Sequence, residues 1–94
     1  MTVRITEKVV LKDPAEVIDF AFDWSDELGA DTISTSTWAA DAGITIDADS
    51  ETATVATVTL SGGTAGTDYM VTNTVVTDGA KTHLRTFHVK VRNR

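Results

Sequence analysis

Cysteine is absent from this 94-residue sequence, and proline occurs only once, at Pro14. The lack of cysteine excludes disulfides and thiolate metal sites, so packing and hydrogen bonds alone must stabilise the fold. It also favours a protein that folds in a reducing cytoplasm. The scarcity of proline, together with abundant threonine, is typical of half-solvated β-strands.

Long hydrophobic runs are missing as well. No segment approaches the roughly 20 apolar residues of a membrane-spanning helix, and the first residues lack the apolar stretch of a signal peptide. The sequence therefore predicts neither membrane insertion nor classical secretion. A chain of this length supports one domain, which we predict over residues 1–94.

Short alternating segments separated by turn residues predict the fold. The clearest alternation runs from Ile18 to Trp24, and Val3–Leu11 reads as a first strand that buries its odd-numbered side. Such strands at a spacing of about 8–12 residues predict an all-β antiparallel sandwich of about seven strands. The predicted structural core consists of Ile18, Phe20, Phe22, Trp24, Trp38, Leu60, Tyr69 and Phe87.

The stretch from Leu60 to Tyr69 contains a corner rich in glycine and threonine, and Tyr69 then opens a new alternating run. It resembles the tyrosine corner of immunoglobulin-like and fibronectin type III domains, in which the phenol hydroxyl bonds to backbone a few residues upstream. The resemblance implies that the sandwich is an immunoglobulin-like antiparallel β-sandwich. No lysine accompanies these glycines, so we interpret them as corner residues rather than as a phosphate loop. Asn73 shares the parity of Tyr69 and should point inward, where its amide needs partners.

A wider resemblance rests on the runs Val17–Ser25, Leu28–Ile33, Thr37-Trp38 and Leu60–Thr67, together with Tyr69. They are similar to a family of small proteins of tailed bacteriophages and prophages, structural components of the neck and tail region that include fibre–tail adaptors. The resemblance implies a non-enzymatic virion protein, made in the bacterial host cytoplasm, that assembles in several copies with other virion proteins. It implies no catalytic residue, metal or cofactor.

The charges are segregated along the chain. Residues 13–80 contain thirteen of the fourteen acidic residues and no lysine or arginine, and the net charge of −6 argues against binding to nucleic acid. If the first and last strands lie side by side, the basic ends form one interaction region. Alternatively, the basic strands only neutralise acidic neighbours, in pairs worth about 0–1 kcal/mol each. The predicted interaction residues are Arg4, Lys8, Lys12, Lys81, Arg85, Lys90 and Arg92.

Other residue clusters suggest chemistry only weakly. Asp47–Glu51 has carboxylates two residues apart, which fits a solvated loop or a calcium site without the glycine of an EF-hand. The acidic cluster Asp23–Asp31 fits surface charge better than acid–base catalysis. His83 and His88 should face opposite sides of the last strand, which excludes joint metal binding. An alternative function, a carbohydrate- or cell-surface-binding module, requires an exposed Trp24 or Trp38.

Overall fold

The computed structural model describes residues 2–93, which form eight strands and one short helix. Alternation of buried and exposed side chains is regular in the later strands, as expected for strands with one solvated face. The elements are β1 (Thr2–Arg4), β2 (Val9–Lys12), β3 (Ile18–Asp23), α1 (Ser25–Leu28), β4 (Ile33–Ala40), β5 (Ile44–Glu51), β6 (Val55–Gly62), β7 (Asp68–Thr77) and β8 (Thr82–Val91).

The strands form two four-stranded sheets that pack face to face. Sheet I has the order β1-β3-β6-β5, and sheet II has the order β2-β8-β7-β4. The predicted all-β, immunoglobulin-like sandwich is confirmed. Both sheets are mixed, because β1 pairs with β3 in parallel and β2 pairs with β8 in parallel, whereas the other pairs are antiparallel.

The predicted first strand is divided between the two sheets. Polar residues Thr6–Lys8 leave the strand conformation, so that β1 joins sheet I and β2 joins sheet II. This division raises the number of strands to eight and changes the side that β2 buries. The predicted burial of odd-numbered residues is wrong for β2, because Val9 and Leu11 are 42% and 52% exposed.

Aromatic rings fill the space between the sheets. Phe20, Phe22, Trp24 and Phe87 are buried, and Phe22 meets Phe87 edge-on with ring centroids 5.4 Å apart. Each buried aromatic ring removes about 150–250 Å² from water, which makes these rings the main source of stability in a thin core. Leu60 and Tyr69 are also buried, whereas Ile18 and Trp38 are partly buried against the same cluster.

One buried polar side chain, Asn73 on β7, joins the two sheets. The indole Nε1 of Trp24 donates to Asn73 Oδ1 over 3.0 Å. Asn73 Nδ2 in turn donates to Ser36 Oγ and to the Thr37 carbonyl on β4, both at 2.9 Å. The inward position predicted for Asn73 is therefore correct, and the amide has a partner at both of its ends.

Tyr69 closes the corner between β6 and β7. Its hydroxyl accepts a 2.9 Å hydrogen bond from the Thr64 backbone N–H, and the hydrogen bonds from Thr64 lower the pKa of Tyr69. Gly43 and Gly63 pack on the two sides of its ring with φ values of +107° and +95°. Only glycine adopts such backbone angles without strain, so the corner depends on these residues.

Lys12, predicted to carry surface charge, is fully buried at the end of β2. Because the chain turns between β1 and β2, its side chain points inward, where Nζ donates to the Gly62 and Asp13 carbonyls over 2.7 and 2.9 Å. Burial lowers the pKa of Lys12, although the carboxylates of Glu16, Asp13 and Asp47 oppose this shift. Lys12 is therefore a structural residue, and its assignment to the interaction surface was wrong.

We expect the stability contributed by Lys12 to rise in alkaline solution. Its pKa is lower in the folded state than in the unfolded state, so unfolding takes up a proton between the lowered value and 10.5. Over that range the wild type should gain stability relative to Lys12→Met, by at most about 1.4 kcal/mol per pH unit. Urea unfolding of both proteins from pH 7 to pH 10.5 measures this difference, and a constant difference would contradict the prediction.

Candidate docking surface

The outer face of sheet II carries most of the exposed large apolar side chains. Within residues 2–93, six large hydrophobic residues are at least 37% exposed, and five of them point outward from this sheet. The sixth, Val17, lies in the turn between β2 and β3. The five on the outer face are Val9, Leu11, Met70, Val76 and Leu84.

Strand register brings these residues onto one surface. In β7 and β8 the buried positions alternate with outward ones, and Leu84 lies opposite Thr74 while Met70 lies opposite His88. The parallel pairing of β2 with β8 places Val9 next to His88 on the same side. The remaining outward positions are mostly threonines, such as Thr72 and Thr86, whose hydroxyls are 2.9 Å apart.

Charge on this outer face is confined to one end. Arg92 Nη2 and Asp68 form a 3.1 Å ion pair there, and Lys90 lies opposite Asp68 in the strand register. Towards the other end the face consists of apolar residues and threonines. Five exposed apolar side chains on one face of a small domain, even interspersed with threonines and His88, mark a candidate protein-binding site.

The outer face of sheet I differs in chemistry. Arg4 forms a 2.7 Å ion pair with Asp23, and the Thr59 hydroxyl donates to Asp19 over 2.5 Å. None of the six exposed large hydrophobic residues lies on this face. The two sides of the sandwich therefore offer different surfaces, one polar and charged and the other largely apolar.

Three of the seven predicted interaction residues form ion pairs with acidic side chains. Arg4 pairs with Asp23, Arg92 with Asp68, and Arg85 with Glu27, while the Arg85 guanidinium also lies 4.5 Å from the ring centroid of Trp24. Exposed ion pairs of this kind contribute about 0–1 kcal/mol. Within residues 2–93, no ion pair involves the buried Lys12 or the other three predicted lysines, Lys8, Lys81 and Lys90.

The acidic clusters are dispersed. Asp47–Glu51 belongs to the exposed strand β5 and does not form a loop. In the Asp23–Asp31 cluster, Asp31 turns toward the β7–β8 hairpin, where it accepts from Gly79 N–H over 3.1 Å. Across residues 2–93, no group of three or more His, Cys, Asp or Glu side chains has a geometry that would hold a metal ion.

The tryptophans offer no open platform for a sugar ring. Trp24 is completely buried, and Trp38 stacks on Phe22 with ring centroids 5.8 Å apart and nearly parallel planes. No aromatic residue is among the exposed large hydrophobic side chains of residues 2–93. In the same part of the chain, no helix has the length and apolar character needed to cross a membrane.

Comparisons with known proteins agree with this architecture. A family model described as "Podophage GP4 fiber-tail adaptor protein gp77" matches residues 12–90. Among solved structures, the cysteine protease inhibitor EhICP2 from Entamoeba histolytica is similar, with a TM-score of 0.57 and 12% sequence identity. The similarity covers 97% of this chain and 93% of that chain, and at this identity it shows the fold alone. Comparison with curated protein sequences found no match.

Proposed function

The chain belongs to the podophage GP4 fibre–tail adaptor family, and from this premise we propose that it docks on another tail protein through the outer face of sheet II. Membership of the family makes the chain a virion component with a structural role in tail assembly. An adaptor must hold a neighbouring protein on a surface of its own. The observation that carries the proposal is the concentration of five exposed apolar side chains on one face.

The chemistry of this face indicates the kind of partner. Threonine and aliphatic side chains on a flat sheet favour a partner that presents a similarly uncharged, apolar surface. Burial of apolar area supplies most of the affinity, at about 25 cal/mol per Å² removed from water before the costs of association. Such a contact changes little with salt, unlike the attraction between basic and acidic patches.

Further aspects of the function belong to the same proposal. The protein acts without catalysis, in several copies within the particle, after synthesis in the host cytoplasm. The family's structural role supports an adaptor without enzymatic activity. The net charge of −6 supports a protein partner rather than nucleic acid, because phosphate contacts require an excess of basic side chains.

Two substitutions on the outer face test the proposal. Leu11→Asp and Val76→Asp each place a charge on an exposed position of sheet II, and each should weaken the complex at least about tenfold because a charge is desolvated there. Native mass spectrometry with the tail proteins encoded beside this gene, at low and high salt, measures the complex.

A matched control adds the same charge to the other sheet. Ser50 is exposed on β5 of sheet I, so Ser50→Asp should leave the complex intact. Equal binding by all three variants would contradict docking through sheet II. If no tail protein forms a complex with the wild type, the proposal fails as a whole.

A further inference from the structure

More than half of β8 has an open edge. β2 covers only His88–Val91, whereas β8 begins at Thr82, so the segment Thr82–Phe87 has no neighbouring strand on that side within residues 2–93. At about 3.3 Å per residue the uncovered segment is about 20 Å long. An open strand edge presents unpaired backbone groups to which another chain can pair.

Backbone directions along β8 are fixed by its hydrogen bonds. His88 N–H donates to the Lys8 carbonyl and Arg92 N–H to the Lys12 carbonyl, over 2.6 and 2.9 Å, so even-numbered backbone groups face β2. Val91 N–H donates in the other direction, to the Thr67 carbonyl. By the same alternation the N–H and C=O groups of Thr82, Leu84 and Thr86 face the open edge.

A groove of about 600 Å³ runs beside this edge. Ile5 and Phe22 contribute apolar surface to its lining, the turn Thr6–Lys8 forms one side, and Leu84 and Arg85 of β8 form the other. We infer that this edge accepts an extended segment of another virion protein, which adds a strand to sheet II and places alternate apolar side chains in the groove.

The charged side chains that line the groove indicate which residues the bound segment should contain. Lys8, Arg85 and His88 line the groove, and among residues 2–93 Glu7 is the only acidic residue in its lining. The Arg85 guanidinium is shared with Glu27, whereas Lys8, which also lines the groove, is exposed and has no ion pair among the described residues. Lys8 can pair with a carboxylate of the bound segment, which favours a segment that carries an acidic residue among its apolar ones.

Two of the other edge strands, β5 and β4, carry features that hinder pairing. β5 has a register shift between Ile46 and Ala48, and its exposed residues include Asp47, Asp49 and Glu51. β4 has a register shift between Ile33 and Thr35. Bulges and charged residues are the usual protection of sheet edges against pairing, and the uncovered part of β8 contains no bulge in its pairing with β7.

Peptide binding tests the edge directly. The probes are overlapping short peptides that cover the tail proteins encoded beside this gene and the chain itself, first on an array and then in solution by fluorescence anisotropy. We expect acidic, apolar peptides from a tail protein to bind the wild type. Leu84→Pro removes an N–H that faces the open edge without breaking the β7 ladder, and should weaken binding at least about tenfold relative to Leu84→Ala.

Leu84→Ala is the matched control, because it removes the exposed side chain and keeps the backbone N–H. Hydrogen exchange of the wild type gives a second measurement, in which bound peptide should protect the amides of Leu84 and Thr86. Absence of peptide binding, equal binding by the proline and alanine variants, or unchanged exchange would overturn the inference. Binding only of this chain's own peptides would overturn it in favour of a second copy.

This inference and the docking proposal fail separately. Leu11 and Val76 do not line the groove, so their aspartate variants should still bind the peptide. Conversely, a tail protein that docks on the outer face of sheet II without using the edge would bind Leu84→Pro and Leu84→Ala equally well.

Discussion

Replacing Asn73 by leucine should lower the free energy of unfolding by about 2–4 kcal/mol. Leucine has a similar volume, but it neither accepts from Trp24 Nε1 nor donates to Ser36 Oγ and the Thr37 carbonyl. The indole N–H is then buried without a partner, and an unsatisfied buried polar group costs about 1–3 kcal/mol. Chemical denaturation of both proteins measures the change.

A double-mutant cycle separates the hydrogen bond from packing effects. Trp24→Phe removes the indole N–H, so the double variant should be more stable than the sum of the two single changes implies, by about 1–2 kcal/mol. Thr74→Leu is the control on the same strand, because Thr74 points away from the core and should change stability by less than about 0.5 kcal/mol. Strict additivity of Asn73→Leu and Trp24→Phe would contradict a shared hydrogen bond.

Gly63→Ala should be comparably severe, with an expected loss of about 2–5 kcal/mol. The residue has a φ of +95°, and a Cβ added to it would lie 2.7 Å from Val91 Cγ2 and 3.4 Å from Tyr69 Cε2. The substitution therefore combines backbone strain with a steric clash at the centre of the tyrosine corner. Thermal and urea unfolding both report the loss.

Gly66→Ala distinguishes strain from clash in the same loop. Gly66 has a φ of +91°, but nothing lies within 4 Å of a Cβ added there. Only the strain remains, so the expected loss is about 1–2 kcal/mol. Equal losses of stability in Gly63→Ala and Gly66→Ala would show that the clash with Val91 and Tyr69 adds nothing to the destabilisation at Gly63.

The sequence predicted those parts of the fold in which local pattern and tertiary environment agree. The alternation from Ile18 to Trp24 reflects a central strand with one face on the core, and the glycines before Tyr69 reflect turns with positive φ. The prediction of one continuous first strand was wrong, because a turn interrupts its alternation. Periodicity alone does not reveal that β1 and β2 join different sheets.

The docking surface was harder to predict than the core. Met70 and Val76 lie on the solvated side of β7, where an apolar side chain adds little to the strand pattern. A signal was nevertheless present, since Met70-Val71 and Val75-Val76 make both faces of the strand apolar. For the basic residues the sequence suggested exposed charge, although several are neutralised by ion pairs. Arg85 and Glu27, for example, are far apart in the sequence, and only the fold brings them together.

The position of β8 has a consequence for folding during translation. β8 is the last strand in sequence, yet it lies inside sheet II, where β2 from the other end of the chain pairs with its residues His88–Val91. Until Val91 has left the ribosome, β2 and β7 lack their common neighbour and the aromatic core is uncovered on one side. The nascent domain must therefore remain open until β8 has emerged, and it closes through contacts between residues that are far apart in the sequence.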